Sequence, residues 1–324
     1  MNRNKCTKLP PITVLMATYN DERFIGEAVK SILSQTMSEF EFIIIDDAST
    51  DRTPIILSEF GEQDSRIRVI RNPKNLGLTK SLNIGLENAR GQFIARIDGD
   101  DISHIERLES QYKYMIDNPH CHFLATEGVL IGESGKKIKN IRIHFNNLSQ
   151  TEYILNYGSP FVHSSMMFSK QKVLELGGYD ENYKTRQDLV LYLKVLSAGY
   201  SINVLHRDLI AFRMHDKSVS TTSTDNLYLN IAIRFLFKLK NKGYCLGDRE
   251  ALSFVKNDFW SKYFVQHILF RKMTKDLISK IKSGYILLSM LKAIHMMMRI
   301  EYIIPFKMGF ILNKLINRYE KQNS

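Results

Sequence analysis

Apolar runs alternate with helix-spaced apolar positions along the first hundred residues. Four apolar runs predict strands, at residues 12–19, 40–46, 67–71 and 92–97. Between them, apolar residues recur at helical spacing and predict three helices, over 22–35, from 53 onwards and over 78–90. This alternation is typical of βαβ units, so we expect an α/β fold with a mostly parallel sheet flanked by helices.

Polar residues and glycines next to these helices predict where each begins and ends. Asn20 and Asp21 are expected to cap the first helix. Thr53 is expected to cap the second, with Pro54 at its first position, and Gly91 to end the third.

The pattern is less regular after the fourth strand. A helix over 105–118 is predicted to end before Pro119, and 123–143 predicts two strands around a glycine-containing turn. Further helices are predicted over 149–158, 169–176 and 187–199, and the pattern is helical from about 225 to the end. We expect a catalytic region over 1–224, with halves at about 10–101 and 102–224, and a helical region over 225–324.

Charge separates the two regions. The chain of 324 residues is 44% hydrophobic and 24% charged, which is typical of a soluble globular protein, and its net charge is +11. Residues 225–324 contain 18 Lys/Arg and 7 Asp/Glu, whereas residues 1–224 contain 27 of each. The whole excess therefore lies in the last hundred residues, which predicts an anionic partner for that region.

The cysteines and the first residues of the chain predict the cellular compartment of the protein. The three cysteines, Cys6, Cys121 and Cys245, are odd in number and far apart, which argues against a disulfide framework and favours a reducing compartment. The basic start is not followed by an apolar stretch, so no signal peptide is predicted. We expect a cytoplasmic protein.

Carboxylates follow two of the predicted strands. Asp46 and Asp47 end the second, and Asp98, Asp100 and Asp101 follow the fourth. Ligands of open α/β sheets bind at the carboxyl ends of strands, and two carboxylates one residue apart can share Mg²⁺ or Mn²⁺. The alternative is that these acids only turn the chain and cap the helices that follow.

Three other polar residues are candidates for chemistry. Asp188 begins the helix over 187–199, where it could serve as a general base or simply as a favourable acid in the first helical turn. His163 and His215 are isolated in sequence, and a structural hydrogen bond is the default role for each.

Taken together, the motifs resemble those of family 2 glycosyltransferases, which have the GT-A nucleotide-sugar fold. The matching segments, in order, are "ITVLMATYN", "QT" at 35–36, "FEFIIIDDASTD", "NLGLTKSLNIGLENARGQFIARIDGDD", "ERLESQ", "PFVHSSMMF", "LGGYDENYKTRQDLVLYLKV" and "FRMHDKSVS". The resemblance covers about residues 10–222 and is strongest to bacterial enzymes that build O-antigen, capsule and other surface polysaccharides.

The resemblance implies roles for particular residues. Those expected to bind the nucleotide sugar, with UDP as the expected nucleotide, are Ala17, Thr18, Tyr19, Asp47, Arg96 and Asp98. Asp98 and Asp100, with His215 as a further ligand, are expected to bind Mn²⁺ or Mg²⁺, and His163 and Asp101 to lie around the diphosphate and acceptor. Asp188 matches the catalytic base, with Gln187 in the place where the family usually has glutamate.

These roles imply an inverting, metal-dependent transfer from a nucleotide diphosphate sugar to a hydroxyl of a glycan or lipid-linked acceptor. One alternative is a catalytically silent nucleotide-sugar-binding protein, against which the presence of Asp98, Asp100 and Asp188 argues. Another is nucleic-acid binding by the basic region, which only its charge supports. We expect no nucleic-acid partner.

The basic region has a stripe of polar residues on a predicted helix. Lys282, Ser289, Lys292, His295 and Arg299 share one helical face, and the other faces are apolar. This pattern suits an interfacial helix on an anionic membrane, on the inner face of the plasma membrane, while the lack of about 18 consecutive uncharged residues argues against a membrane span. The alternative is a helical subdomain packed on the catalytic region or on a second subunit of a homo-oligomer.

Overall fold

The computed structural model describes residues 9–145 and 147–216, which form a nine-stranded sheet with helices on its faces. The strands are β1 (Ile12–Thr18), β2 (Phe40–Asp46), β3 (Ile67–Arg71), β4 (Phe93–Arg96), β5 (Ile102–Ser103), β6 (Phe123–Ile131), β7 (Lys137–Ile141), β8 (Met167–Ser169) and β9 (Asn203–Arg213). The helices are α1 (Ile25–Leu33), α2 (Thr53–Gln63), α3 (Leu78–Asn88), α4 (Arg107–Asp117), α5 (Gln150–Tyr157), α6 (Lys170–Glu175) and α7 (Gln187–Ser197).

The first half of the sheet is parallel. Its order is β3-β2-β1-β4, with Thr18 opposite Asp46 and Leu15 opposite Arg96. Because the strands run in the same direction, the segments that follow β1, β2 and β4 leave the sheet at one edge. Both predicted aspartate groups therefore lie at that edge.

The second half of the sheet is mixed. Beyond β4 the order continues β8-β6-β9-β5, in which β8 is antiparallel to both neighbours and β9 is parallel to β6. The sequence pattern did not predict β5, β8 or β9. β8 has only three residues, and β9 carries exposed His206, Arg207 and Asp208 where its register with β6 shifts, so neither shows a regular alternation.

Both faces of the central strands are buried, which explains their continuous apolar runs. On one face, Leu15 and Ile43 pack with Leu82 of α3 and with α7. On the other, Met16 and Phe42 pack with residues of α1 and α4. The prediction of an α/β fold with helices on both faces is confirmed.

The helix boundaries differ from the predicted caps. The Asp21 carbonyl accepts hydrogen bonds from the N–H groups of Phe24 and Ile25, while no side chain caps α1. Thr53 is the first residue of α2 rather than its cap.

Gly91 does not end α3, which stops at Asn88. Instead, Gly91 passes so close to β1 that a Cβ atom there would be 2.3 Å from the backbone nitrogen of Thr13. Close backbone approach is therefore what this glycine provides.

No helix within residues 9–145 and 147–216 is long and apolar enough to span a bilayer. The predicted helical region, 225–324, lies outside the described residues. Its helices, its polar stripe and the boundary at 224 stay predictions.

We predict that Gly91→Ala destabilises the fold by about 3 kcal/mol, because the added methyl group overlaps the backbone of β1. The matched control is Gly61→Ala in α2, where a Cβ atom would meet nothing within 4 Å. That change should increase the free energy of unfolding by about 0.5 to 1 kcal/mol because alanine favours a helix. Urea denaturation followed by circular dichroism measures both, and equal effects of the two changes would contradict the close approach.

Candidate active site

The segment after β4, residues 98–101, is called the acid loop below. Its first residue, Asp98, is held by Ser164 of the single-turn helix His163–Ser165. The Asp98 N–H donates to Ser164 Oγ at 3.0 Å, and that hydroxyl donates to Asp98 Oδ2 at 2.8 Å. Arg96 Nη2 forms an ion pair with Asp98 Oδ1.

Arg96 is fully buried at the end of β4. Its Nε and Nη1 atoms have no hydrogen-bond partner among the described residues. Burial alone would raise the pKa of Asp98, but the Arg96 charge and the Ser164 hydroxyl outweigh it and hold that pKa below its usual value. Asp98 is therefore ionised at neutral pH.

Asp100 and Asp101 bind the end of β9 and the residues after it. Asp100 Oδ2 lies 2.9 Å from Nε2 of His215, and Asp101 Oδ1 accepts the Arg213 N–H at 2.8 Å. Burial and neighbouring carboxylates raise the pKa of both aspartates. Asp101 is completely buried, so the structure gives it a role in fastening β9 to the acid loop.

The donor set fits a hard divalent cation. Mg²⁺ and Mn²⁺ are commonly held by one or two carboxylates and completed by substrate phosphates, and Asp98 and Asp100 supply the two carboxylates. Within 9–145 and 147–216, no three His, Cys, Asp or Glu side chains already surround one point. His215, the predicted third ligand, hydrogen-bonds to Asp100, and its role as a ligand stays a prediction.

A further carboxyl group, which the sequence assigned to a helix cap, lies against the acid loop. Asp21 Oδ2 accepts a hydrogen bond from Thr18 Oγ1 at 2.7 Å, and a Cβ atom on Gly99 would lie 2.7 Å from the same oxygen. Burial, with smaller contributions from Asp100 and Asp98, raises the pKa of Asp21 to about 6. Its spacing of three residues from Thr18, at the end of β1, is the signal that could have identified it.

Asp47 orders the loop that follows β3. Its carboxylate accepts hydrogen bonds from Asn72 Nδ2 at 2.7 Å and from the N–H groups of Leu76 and Gly77, each at 2.8 Å. Its predicted contact with the base and ribose stays a prediction.

The other residues predicted to bind the nucleotide lie at the end of β1. Ala17 and Thr18 are buried, and the Thr18 carbonyl accepts the Asp47 N–H. The side chain of Tyr19 is 45% exposed, so it is the one of the three that is open to a ligand.

Asp188 lies in the first turn of α7. Burial raises its pKa, the Arg186 charge lowers it, and the negative charge of Asp98 raises it. On balance the pKa of Asp188 is raised, and its role as the base stays a prediction. Arg186, just before α7, has a left-handed φ of 64°, an unusual conformation for arginine that is found most often at functional sites.

His163 directly precedes Ser164, the residue that binds Asp98, and is almost completely buried. Its Nε2 is 2.8 Å from the Tyr179 hydroxyl. Burial and the Arg96 charge lower its pKa to about 3, so the imidazole is neutral at physiological pH. A neutral imidazole can orient a neighbour but brings no positive charge to a diphosphate.

The chain is similar to known proteins in sequence and in fold. The profile of "Glycosyl transferase family 2" matches residues 13–177. An uncharacterized glycosyltransferase of Methanocaldococcus jannaschii is 31% identical over 84% of this chain and 92% of its own length. The O-antigen biosynthesis glycosyltransferase WbnJ of Escherichia coli is 32% identical over 66% of this chain and 84% of its own.

Solved structures share the fold at lower identity. S. aureus TarS (residues 1–349) in complex with UDP-GlcNAc has a TM-score of 0.57 and 20% identity, over 74% of this chain and 69% of that one. The mannosyltransferase PcManGT from Pyrobaculum calidifontis, in complex with GDP-Man and Mn²⁺, has a TM-score of 0.55 and 15% identity, over 94% and 84% of the two chains. The predicted GT-A fold is confirmed.

We predict that Asp21→Asn changes the pH dependence of stability. Because the folded-state pKa of Asp21 is about 6, above its ordinary 3.8, the stability that this group contributes is fully present below about pH 3.8 and is lost as pH rises through 6. Asparagine is isosteric, can accept the Thr18 hydrogen bond and does not titrate. The free energy of unfolding of the wild type, relative to Asp21→Asn, should fall by on the order of 2 kcal/mol from pH 4 to pH 7.

Urea denaturation in EDTA at several pH values measures this difference. EDTA removes any cation that would change the charge around the acid loop. Parallel curves for the two proteins would mean that Asp21 does not titrate in this environment.

Proposed function

The chain belongs to glycosyl transferase family 2, and we propose that it is an inverting, divalent-cation-dependent enzyme that transfers a sugar from a UDP-sugar to a hydroxyl of a glycan or lipid-linked acceptor in bacterial surface polysaccharide synthesis. The observation that carries this proposal is that α7, in whose first turn Asp188 lies, packs beside the acid loop: the ring centroid of Tyr192 on α7 is 6.5 Å from that of His163, the neighbour of the Ser164 that binds Asp98.

The names of related proteins support the choice of donor and pathway. WbnJ is described as an O-antigen biosynthesis enzyme, and AmsE of Erwinia amylovora, which is 27% identical over 72% of this chain, as an amylovoran biosynthesis enzyme. TarS was crystallised with UDP and with UDP-GlcNAc. The PcManGT structure is a complex with GDP-Man and Mn²⁺, which supports a divalent cation.

In the proposed reaction, Asp188 accepts the proton of the acceptor hydroxyl as its oxygen attacks the anomeric carbon. Partial burial suits this role, because a carboxylate with a raised pKa is a stronger base. The oxygen attacks the face opposite the diphosphate, so the configuration at the anomeric carbon inverts. A single displacement needs one base, whereas the double displacement of retaining glycosidases needs a second carboxylate as nucleophile.

The acid loop has the role of stabilising the diphosphate as it leaves. Asp98 and Asp100 would hold a divalent cation, whose positive charge would stabilise the departing diphosphate. Arg96 keeps Asp98 ionised, and Ser164 fixes the orientation of its carboxylate. His163 and Tyr179 form a neutral hydrogen-bonded pair, and His163 directly precedes Ser164 in the chain.

Two other proposals concern the surroundings of the enzyme. We infer that it works in the cytoplasm, peripherally bound to the inner face of the plasma membrane through residues 225–324, and the net positive charge of that segment supports this. Assembly into a homo-oligomer is the alternative use of the same segment.

The competing hypothesis, a silent nucleotide-sugar-binding protein, requires donor binding without turnover. The next experiment decides between this hypothesis and the enzyme.

We predict that Asp188→Asn lowers kcat by about 100- to 10,000-fold, because the amide cannot accept the proton. The affinity for the donor should change little, since the side chain keeps its shape. The assay is UDP release from a panel of UDP-sugars, with donor affinity measured by calorimetry.

The matched control is Glu181→Gln, which removes one negative charge from the same segment. The Glu181 carboxylate is half exposed and pairs with Lys80, away from the acid loop. This variant should retain wild-type turnover. Unchanged turnover in Asp188→Asn would remove Asp188 from the role of base, and donor binding without turnover in the wild type would favour the silent binding protein.

We also predict that EDTA abolishes UDP release and that Mn²⁺ or Mg²⁺ restores it. Asp100→Ala should raise the cation concentration needed for half-maximal rate by at least about tenfold, because one of the two carboxylates is lost. Full activity in EDTA would contradict the cation dependence while leaving the glycosyltransferase assignment intact.

A further inference from the structure

One buried guanidinium connects the acid loop to two distant parts of the chain. Arg213, the last residue of β9, is 2% exposed. Its Nε donates to the Asp100 carbonyl at 2.9 Å, and its Nη1 donates to the Glu133 carbonyl at 2.8 Å, in the turn between β6 and β7. Its Nη2 donates to Glu27 Oε2 on α1 at 2.5 Å.

Two further contacts fix this residue in place. The Arg213 N–H donates to Asp101 Oδ1 at 2.8 Å, and the guanidinium carbon lies 4.8 Å from the centre of the Phe24 ring. The chain then reaches His215, which bonds to Asp100 Oδ2 at 2.9 Å and packs on the same Phe24 ring. Arg213 thus contacts the acid loop through two of its residues while α1 holds the guanidinium in place.

We propose that Arg213 is the positioning residue of the acid loop and that Glu27 is its anchor on α1. This inference rests on the proposed function, because the consequence of a well-placed acid loop is tight binding of the cation and the donor diphosphate. Neither residue touches substrate in this proposal. Their effect passes through Asp100 and Asp101 alone.

The physical reason is the rigid fork of the guanidinium. Its N–H groups point in fixed directions, so one side chain can hold two carbonyls and a carboxylate at set distances. The loop it holds carries three carboxylates within four residues, which would otherwise move apart. An acid loop placed before the ligand arrives does not have to be ordered on binding, which favours affinity.

Two exposed glutamates allow a matched test. Glu27 and Glu133 both lie beside Arg213, but Glu27 contacts it through its carboxylate, whereas Glu133 contacts it only through its backbone carbonyl. The Glu133 side chain pairs with Arg23. Glu27→Gln and Glu133→Gln therefore remove the same charge from the same surface, and only the first weakens the anchor of Arg213.

We expect Glu27→Gln to raise the Kd of Mn²⁺-UDP, measured by calorimetry, about three- to tenfold, because a charge-assisted hydrogen bond becomes a neutral one. The donor KM should rise by the same factor, while the acceptor KM and the melting temperature stay near their wild-type values. Glu133→Gln should match the wild type in all four measurements.

Two more variants separate the anchor from other effects of Glu27. Glu27 also lies in the first turn of α1, where a negative charge favours the helix. Glu27→Asp keeps that charge but withdraws the carboxylate from Nη2, so it should raise the Kd of Mn²⁺-UDP as Glu27→Gln does. Arg213→Lys keeps the positive charge but loses the fork, and we expect a rise of more than tenfold provided that its circular dichroism spectrum matches the wild type.

The possible failures are distinguishable. If the wild type neither binds Mn²⁺-UDP nor releases UDP from any donor, the proposed function is wrong. If the wild type does both and Glu27→Gln behaves like Glu133→Gln, Arg213 is not anchored through Glu27 and the inference is wrong. Equal increases in donor KM and acceptor KM would likewise contradict it, because a general structural loss would affect both substrates.

Discussion

Mutual repulsion among carboxyl groups around Gly99 is the constraint that organises this end of the molecule. Asp98, Asp100 and Asp101 belong to the acid loop, and Asp21 lies directly against it. Two buried guanidiniums offset this negative charge, with Arg96 paired to Asp98 and Arg213 bound to the loop backbone. A third, Arg107, donates to the Arg96 carbonyl at 2.7 Å, and burial lowers its pKa to about 9. The protein therefore supplies counter-charge itself, and the proposed cation would add to it.

Much of the fold and part of the site could be predicted from local patterns. The runs that became β1, β2 and β4 are buried on both faces, and their parallel order places Asp47 and Asp98 at one edge. The role of Arg213 could not be predicted in the same way. Arg213 is 113 residues from Asp100 in sequence, and it lies at the end of a strand whose exposed polar residues hide the strand pattern. Contacts of this range depend on the whole topology rather than on neighbouring residues.

The electrostatics assign different tasks to similar side chains. Arg96 keeps Asp98 ionised, which suits a ligand of a cation, whereas burial makes Asp188 more basic, which suits a proton acceptor. Asp101 is too deeply buried to reach a substrate and fastens β9. In the proposed mechanism, the four aspartates divide into two cation ligands, Asp98 and Asp100, one base, Asp188, and one structural link, Asp101. Their surroundings rather than their chemistry suit each to its role.

The stereochemistry of donor hydrolysis tests the central claim most directly, because it needs no knowledge of the acceptor. Proton NMR can follow the protein with Mg²⁺ and a panel of α-linked UDP-sugars, with water in place of the acceptor hydroxyl. We predict that the sugar first released is the β-anomer, before mutarotation, and that Asp188→Asn slows its release by about 100- to 10,000-fold. Release of the α-anomer first, or no release from any donor of the panel, would contradict a single displacement assisted by Asp188.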